Sequence, residues 1–377
     1  MKILFFADLH IHPHKRSQER LQHCVDALRW VFSEASKRHV QDIVFLGDLF
    51  HDRAKIDVLT YQKTFEVFEE YQANDKRAES PHFRIFLLLG NHDMWHLEKW
   101  DVSSVNPLRS MPGVTVIDKP CTVDLGGFPI SFLPYTDDPM EDIKIVEESF
   151  DKWTKEYGHK PLRKILGGHV AVDGALWNTM HQTFSEVTVE HDGEMKVVSP
   201  SMFSGWDRVF LGHYHAAQEL SYNVEYIGSP LQLSFGEAFQ EKQLLIYDTV
   251  TGEREYVKNT FSPQHFIIPE SDLDKYELEK NFIRVMVDDI TAGDVVQLRK
   301  SLVEDHQVGS LEIKPVPQKH DDKVKDAATI LLKEDEMLES FIEEMLKEKH
   351  PLVEGLDKDK LLKIGKEICE ASTEDSK

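Results

Sequence analysis

The sequence is poor in cysteine and in long apolar runs, and each shortage excludes a class of protein. Three cysteines among 377 residues are too few for a disulfide framework, and their number is odd. The apolar start of the chain ends at Asp8, too early for a signal-peptide core, and no later stretch approaches the length of a membrane span. We therefore predict a cytoplasmic protein with no membrane segment.

Basic residues are also in short supply. The chain has 44 Lys and Arg against 67 Asp and Glu, a net charge of -23. This balance excludes a protein that covers nucleic acid with a broad basic surface. A protein that acts on phosphates in this acidic background needs bound cations or the basic surface of a partner. With 41% hydrophobic residues the chain is long enough for a catalytic body and smaller modules.

One pattern occurs five times: a short apolar run, a small residue, and then a side chain that can bind a metal. Continuous apolar runs bounded by glycine predict buried strands in a sheet that is covered on both faces. Apolar residues at helical spacing over residues 21–35 predict an α/β fold with β-α-β units, in which functional groups collect where strands end. The metal-competent residues after the five runs are Asp8, His10, Asp48, Asn91, His169, His213 and His215.

These seven side chains are the kinds that hold hydrolytic metal ions. Carboxylate, amide and imidazole donors without thiolate suit Mn, Fe or Zn better than Ca. Seven donors are too many for one ion and sufficient for two, and Asp48 is the natural bridge because a carboxylate can span ions roughly 3.5–4 Å apart. Taken singly, each histidine has an equally good structural explanation. The five motifs in order after strands favour the metal site.

The composition changes near residues 261–263. Beyond that point two strands are predicted at 282–287 and 311–316, with a short helix at 295–303 between them, which together make a small α+β module. A polar linker and two amphipathic helices follow. Those helices either pack on their own domain or, because the linker frees them, bind a partner. The predicted divisions are 1–260, 261–318 and 319–377.

The ordered motifs resemble those of the calcineurin-like metallophosphoesterases. Longer strings at 47–51, 212–218 and 228–235 resemble a narrower branch, the SbcD-type nuclease subunits, whose eukaryotic and archaeal counterpart is the Mre nuclease. By motif the resemblance covers about residues 1–240. It implies a β-sandwich with flanking helices, a small α+β capping domain that binds DNA, and a helical C-terminal tail. The motifs are Asp8-x-His10, Gly47-Asp48, Gly90-Asn91-His92-Asp93, Gly168-His169 and Gly212-His213-x-His215.

The resemblance also implies roles, position by position. It implies two metal ions, usually Mn²⁺ in the family, one held by Asp8, His10, Asp48 and His215 and the other by Asp48, Asn91, His169 and His213. His92 would face the scissile phosphate and protonate the leaving oxygen, and His51 would contact the phosphate. Asp93 is expected to orient His92 or a ligand imidazole. His12 and His14 either line the site and touch a DNA backbone or lie in a solvated loop.

The function implied by the resemblance is that of a DNA exonuclease and single-strand endonuclease. It would act as a homodimer, with its C-terminal helices bound to an SbcC-type coiled-coil ATPase, in DNA repair, recombination and replication of a bacterial cell or a phage-infected host. The alternative is a metallophosphatase or small-molecule phosphodiesterase of the same superfamily, which the capping and tail modules disfavour. A third hypothesis, a scaffold whose metals only stiffen the fold, is disfavoured by seven intact ligand candidates.

Overall fold

A computed structural model describes residues 1–14, 17–73, 83–97, 99–158, 162–178, 181–182, 188–189, 195–196, 198–288 and 292–315. These residues belong to one compact unit, Met1–Val316. The predicted linker and the two predicted C-terminal helices lie outside the described residues.

The described chain alternates strands and helices through its first half and is rich in strands thereafter. Short 3-10 segments lie at Asn106–Ser110, Pro200–Phe203, Phe235–Glu237 and Glu270–Lys275, and a π-helical turn lies at Ser301–Asp305. The helices and strands are β1 (Lys2–Phe6), α1 (Gln18–Lys37), β2 (Asp42–Phe45), α2 (Val58–Ala73), β3 (Arg84–Leu88), β4 (Met94–His96), β5 (Lys99–Ser103), β6 (Val114–Ile117), β7 (Cys121–Asp124), β8 (Pro129–Leu133), α3 (Pro139–Tyr157), β9 (Ile165–His169), β10 (Leu176–Asn178), β11 (His181–Gln182), β12 (Thr188–Val189), β13 (Met195–Lys196), β14 (Arg208–Gly212), β15 (Gln218–Glu219), β16 (Val224–Tyr226), β17 (Gln243–Asp248), β18 (Arg254–Lys258), β19 (His265–Pro269), β20 (Phe282–Val287), α4 (Ala292–Lys300) and β21 (Ser310–Pro315).

Two six-stranded sheets form the body, in the orders β18-β17-β1-β2-β3-β6 and β15-β16-β14-β9-β8-β7. Strands β1, β2, β3 and β6 run parallel, as do β8, β9, β14 and β16. Buried side chains from both sheets share one core, including Phe5, Val44, Phe132, Phe210 and Tyr247. Strands buried on both faces explain why the apolar runs are continuous rather than alternating.

Helices cover the outer faces of this sandwich. Helix α1 is capped by Ser17, whose hydroxyl accepts a hydrogen bond from the amide of Arg20 at 3.2 Å. Its apolar side, with Leu28 and Phe32, packs with α2 against the first sheet, and α3 packs Val146 and Phe150 against the second. The expected sandwich with flanking helices is thus confirmed.

A β-hairpin and the strands and helix of the predicted small α+β module are also present. Strands β7 and β8 pair antiparallel across Gly126-Gly127, where both glycines have positive φ, at 81° and 90°. Farther along, β19, β20 and β21 form a parallel three-stranded sheet. The helix predicted at 295–303 begins earlier, as α4 over Ala292–Lys300.

All five predicted strand runs are strands, namely β1, β2, β3, β9 and β14. The metal-competent residues lie in the loops that follow these strands or, for His169, at the last position of β9, so the fold brings both sheets to one site. Among the described residues, no helix has the length and apolar character needed to cross a membrane.

Candidate metal centre

The loops after β1 and β2 are bound to each other residue by residue. The amide of Asp8 donates to the carbonyl of Gly47, and that of His10 donates to the carbonyl of Asp48, both at 3.0 Å. Positive φ angles occur at Asp8 (53°), His10 (45°), Asp48 (64°) and His213 (106°). Each such residue costs of order 1–3 kcal/mol unless the surroundings impose it, and such strain clusters at functional sites.

The first donor group consists of Asp8, His10 and His215, whose ligand atoms lie within 4.8 Å of one another. Nε2 of His10 lies 3.0 Å from Nε2 of His215 and 3.5 Å from Oδ2 of Asp48. The Asp8 carboxylate is fixed from behind, because both of its oxygens accept the amide of His213 at 3.0 and 3.1 Å. Two loops far apart in the chain, those after β1 and β14, therefore point donors at one position.

The second donor group consists of Asp8, Asp48 and His169. Nε2 of His169 lies 3.4 Å from Oδ2 of Asp48 and 3.1 Å from Oδ1 of Asn91. Nδ1 of His213 lies 3.2 Å from the same oxygen of Asn91. The Asp48 oxygen thus lies between the two groups, and the structure brings all seven predicted side chains together.

The surroundings of the two carboxylates suit divalent cations. Asp8 and Asp48 are buried, at 0% and 2% exposure, and a buried carboxylate needs a cationic partner. Within the described part of the chain, Asp48 has ion-pair contacts with His10 and His169 and with no Lys or Arg. Oxygen and imidazole donors without thiolate are the set expected for Mn, Fe or Zn. The residues present therefore fit two such ions.

Protons are distributed unevenly over this cluster. Burial raises the pKa of Asp8 and lowers that of His10. Burial opposes ionisation of Asp48 and of His169 as well, but the two attract each other, so the pKa of Asp48 falls and that of His169 rises to about 9. Cations that bind here therefore displace protons from imidazoles, which makes affinity depend on pH.

Asp93 does not have the role expected for it. Its carboxylate accepts the backbone amides of Asp48 at 2.7 Å and of Leu49 and Gly90 at 3.0 Å, rather than a histidine ring. Burial, followed by the charge of Asp48, raises the pKa of Asp93 to about 7. Asp93 therefore ties the loop after β3 to the loop after β2. The carboxylate of Asp93 binds these three amides and not an imidazole, because the loops after β2 and β3 place the amides within 3.0 Å of it.

His92 and His51 lie together beside the seven donors. The amide of His92 donates to Oδ1 of Asp48 at 2.7 Å, and its Nδ1 donates to the carbonyl of His51 at 2.5 Å. A carbonyl oxygen only accepts, so the hydrogen is on Nδ1 and Nε2 is the nitrogen left for chemistry. The ring centroids of His92 and His10 are 4.7 Å apart. His10, His51 and His92 themselves form a third compact donor group.

Two of the candidate ligands are oriented through their second ring nitrogen. Nδ1 of His169 donates to the carbonyl of Leu46 at 2.6 Å, whereas Nδ1 of His215 donates to the carboxylate of Glu237 at 2.8 Å. Glu237 in turn pairs with Lys242 at 2.6 Å. Sequence reasoning missed Glu237 and Lys242, because neither follows a strand; their only signal is that Glu237 comes two residues after the string that ends at Phe235.

Gly90 shows why a small residue precedes the donors. A Cβ atom at Gly90 would overlap the side chain of Asp48 and would lie 2.6 Å from the amide nitrogen of Asp48 and 2.7 Å from Cε1 of His169. No larger residue fits without displacing two of the candidate ligands.

A cleft of about 670 Å³ adjoins the centre, between the sandwich and the three-stranded sheet. The ring of His12 connects the two, because it stacks on His51 at 4.1 Å between centroids and lies tilted against His14 at 3.4 Å. Burial lowers the pKa of His12 to about 4 and that of His14 to about 2, so both rings are neutral near pH 7. Two arginines lie over aromatic rings in this cleft, Arg20 over Phe282 and Arg284 over Phe235, each at 4.1 Å.

Similarity to a known family agrees with this geometry. Residues 1–217 match the family model described as calcineurin-like phosphoesterase. The chain belongs to this family. All seven donors, together with His51 and His92, lie within the matched residues.

Similar proteins were found among curated sequences and solved structures. "Exonuclease subunit 1" of Enterobacteria phage T4 is 27% identical over 267 residues, 69% of this chain and 68% of that protein. The SbcD component of the nuclease SbcCD of Bacillus subtilis (strain 168) is 27% identical over 279 residues, 67% of each chain. A solved archaeal phosphodiesterase aligns at 13% identity with a TM-score of 0.31, over 69% of this chain and all of its own.

Proposed function

We propose that this chain is a two-metal-dependent DNA nuclease, the nuclease subunit of an SbcCD-like complex. The observation that carries the proposal is the convergence of seven oxygen and imidazole donors from five strand ends at one buried carboxylate pair. When bound, two divalent cations supply charge stabilisation for a phosphoryl group and acidify water. One ion would be held by Asp8, His10, Asp48 and His215, and the other by Asp48, Asn91, His169 and His213, with Mn²⁺ as the expected metal.

His92 is proposed as the acid of the reaction. One ring hydrogen is held on Nδ1 by the carbonyl of His51, so His92 would act in its doubly protonated form and would give the second hydrogen, on Nε2, to the leaving oxygen. The adjacent ring of His51, whose centroid is 5.5 Å from that of His92, would contact the phosphate. Burial, followed by the charge of His92, lowers the pKa of His51, which keeps His51 in its neutral form.

The cleft beside the centre supports nucleic acid as the substrate. On a chain with a net charge of -23, a strand of phosphates needs local cations. Arg20 has no carboxylate hydrogen-bond partner in the described part of the chain and donates only to the carbonyl of Leu233, at 3.0 Å. Aromatic rings are the platforms on which single-stranded bases stack, and Phe235 is a partly exposed ring in this cleft. The names of the relatives, an exonuclease component and a nuclease component, point in the same direction.

The remaining parts of the proposal concern assembly. We assign residues 1–260 to the nuclease domain, 261–318 to a capping domain that binds DNA, and 319–377 to a linker and a helical tail. The tail would bind an SbcC-type coiled-coil ATPase, the chain would act as a homodimer in DNA repair, recombination and replication, and the site of action would be the cytoplasm. An ATPase partner would also supply the basic surface that this acidic chain lacks.

A digestion assay tests the catalytic proposal. End-labelled duplex, hairpin and single-stranded DNA are incubated with the purified chain and Mn²⁺, beside a cyclic nucleotide and a phosphoprotein. We expect cleavage of DNA that is lost on chelation and in Asp48→Asn. Turnover of the small phosphodiester or the phosphoprotein with intact DNA would instead support the phosphatase alternative.

Deletion from Ala327 onward tests the tail. The shortened chain is expected to keep its basal Mn²⁺-dependent cleavage and to lose ATP-responsive cleavage with an SbcC-type ATPase. A shortened chain that still co-purifies with the ATPase would contradict this role.

A further inference from the structure

A buried glutamate and a buried lysine lie directly behind the first donor group. Glu237 and Lys242 are each 5% exposed and pair at 2.6 Å. Glu237 ends a 3-10 segment, Phe235–Glu237, and Lys242 comes immediately before β17. Neither residue lies in one of the five metal-binding motifs, and neither is among the residues that line the cleft described above.

Every polar atom of this pair has a partner, and one partner is a candidate ligand. One carboxylate oxygen of Glu237 accepts Nδ1 of His215 at 2.8 Å, and the other accepts the amide of Leu233 at 3.2 Å besides Lys242. The ammonium of Lys242 also donates to the carbonyl of His215 at 2.9 Å and to the hydroxyl of Ser229 at 2.8 Å. The pair therefore forms hydrogen bonds with both the ring and the backbone carbonyl of His215.

A buried ion pair such as Glu237–Lys242 is not needed for the stability of the fold. The desolvation penalty of two buried charges offsets much of their attraction, and well-packed apolar residues commonly stabilise a fold as much or more. A carboxylate on the far nitrogen of a ligand imidazole, by contrast, fixes its tautomer and makes it a stronger donor. His169, in the second group, has only the neutral carbonyl of Leu46 in this place. The two donor groups thus differ in the partner of a histidine Nδ1, which is a carboxylate for His215 and a neutral carbonyl for His169.

We propose that Glu237 and Lys242 are positioning residues of the metal site formed by Asp8, His10 and His215. Glu237 holds the hydrogen of His215 on Nδ1, so that Nε2 faces the ion, and Lys242 holds the carboxylate in place. The inference rests on the proposed two-metal function. It adds that Glu237 and Lys242, which are not ligands themselves, tune the affinity for one of the two ions.

The test is a calorimetric titration of the full chain with Mn²⁺. In Glu237→Gln we expect one of two Mn²⁺ sites to weaken roughly tenfold to hundredfold while the other keeps its affinity. The Mn²⁺ concentration for half-maximal DNA cleavage should rise by the same factor, with the rate at saturating Mn²⁺ near that of the wild type. Glu225→Gln is the matched control, because Glu225 is also 5% exposed and pairs with Arg254 at 3.0 Å. It should leave both affinities unchanged.

The double variant Glu237→Gln/Lys242→Met separates positioning from stability. It leaves no unpaired buried charge, so we expect it to melt, without metal, closer to the wild type than Glu237→Gln does, and still to bind one Mn²⁺ weakly. Wild-type affinity at both sites in Glu237→Gln or in the double variant, or equal weakening of both sites, would overturn the inference. A wild-type chain that binds fewer than two Mn²⁺ would overturn the two-metal function itself, which is a different result.

Discussion

Replacing His92 with alanine separates catalysis from metal binding. The contact that His92 makes with Asp48 comes from its backbone amide, at 2.7 Å, and alanine keeps that amide. The ring donates to the carbonyl of His51 and packs edge-on against His10 at a half-buried position, so its loss should destabilise the fold by about 1 kcal/mol. The seven donors should therefore stay in place, and Mn²⁺ content should be unchanged.

Cleavage should nevertheless fall steeply in His92→Ala. A positioned acid contributes roughly 10²–10⁴ in rate, which corresponds to about 2.7–5.4 kcal/mol of barrier at 1.36 kcal/mol per decade. The assay is single-turnover cleavage of end-labelled DNA at saturating Mn²⁺, with metal content measured on the same sample by mass spectrometry.

His96→Ala is the matched control. His96 lies on β4, is exposed, and belongs to the same loop region, and its replacement should leave the rate unchanged. A His92→Ala rate within about threefold of the wild type would refute the acid role, since positioned acids contribute at least about a hundredfold. Loss of bound Mn²⁺ in His92→Ala would instead make this histidine a ligand, in the group that it forms with His10 and His51.

Two further predictions concern the cleft and the three-stranded sheet of β19, β20 and β21. Arg20→Gln should weaken binding to single-stranded DNA and make its salt dependence shallower by roughly 0.7 in log–log slope, measured by fluorescence anisotropy; Arg29→Gln on the same helix is the control, and equal slopes would contradict the role of the cleft. His265 is buried and its pKa is lowered to about 3, chiefly by burial and then by the charge of Arg20. Stability linked to His265 is present above pH 6.5 and is lost as pH falls toward 3, by about 2 kcal/mol at pH 5. His265→Phe should remove this loss in urea unfolding measured at pH 7.5 and 5, and an unchanged pH dependence would rule it out.

The sequence alone determined the strand ends and the chemistry that follows them. Continuous apolar runs bounded by glycine report burial locally, so β1, β2, β3, β9 and β14 were predictable without knowing what they pack against. The donor types were equally local, because their side-chain chemistry does not depend on the fold. Their order along the chain is what carries the resemblance to the phosphoesterase family.

Only the tertiary structure decided which groups meet. Asp93 was expected near an imidazole, and instead it binds amides of the loop after β2, 45 residues earlier. The support of His215 by Glu237, and the placement of Arg20 over Phe282, join segments whose sequences show no periodicity or motif in common. Such contacts depend on the path of loops between strands, which is set by packing of the whole sandwich. The local sequence pattern therefore predicts the chemistry that a side chain can perform, whereas the tertiary fold determines which residues it contacts.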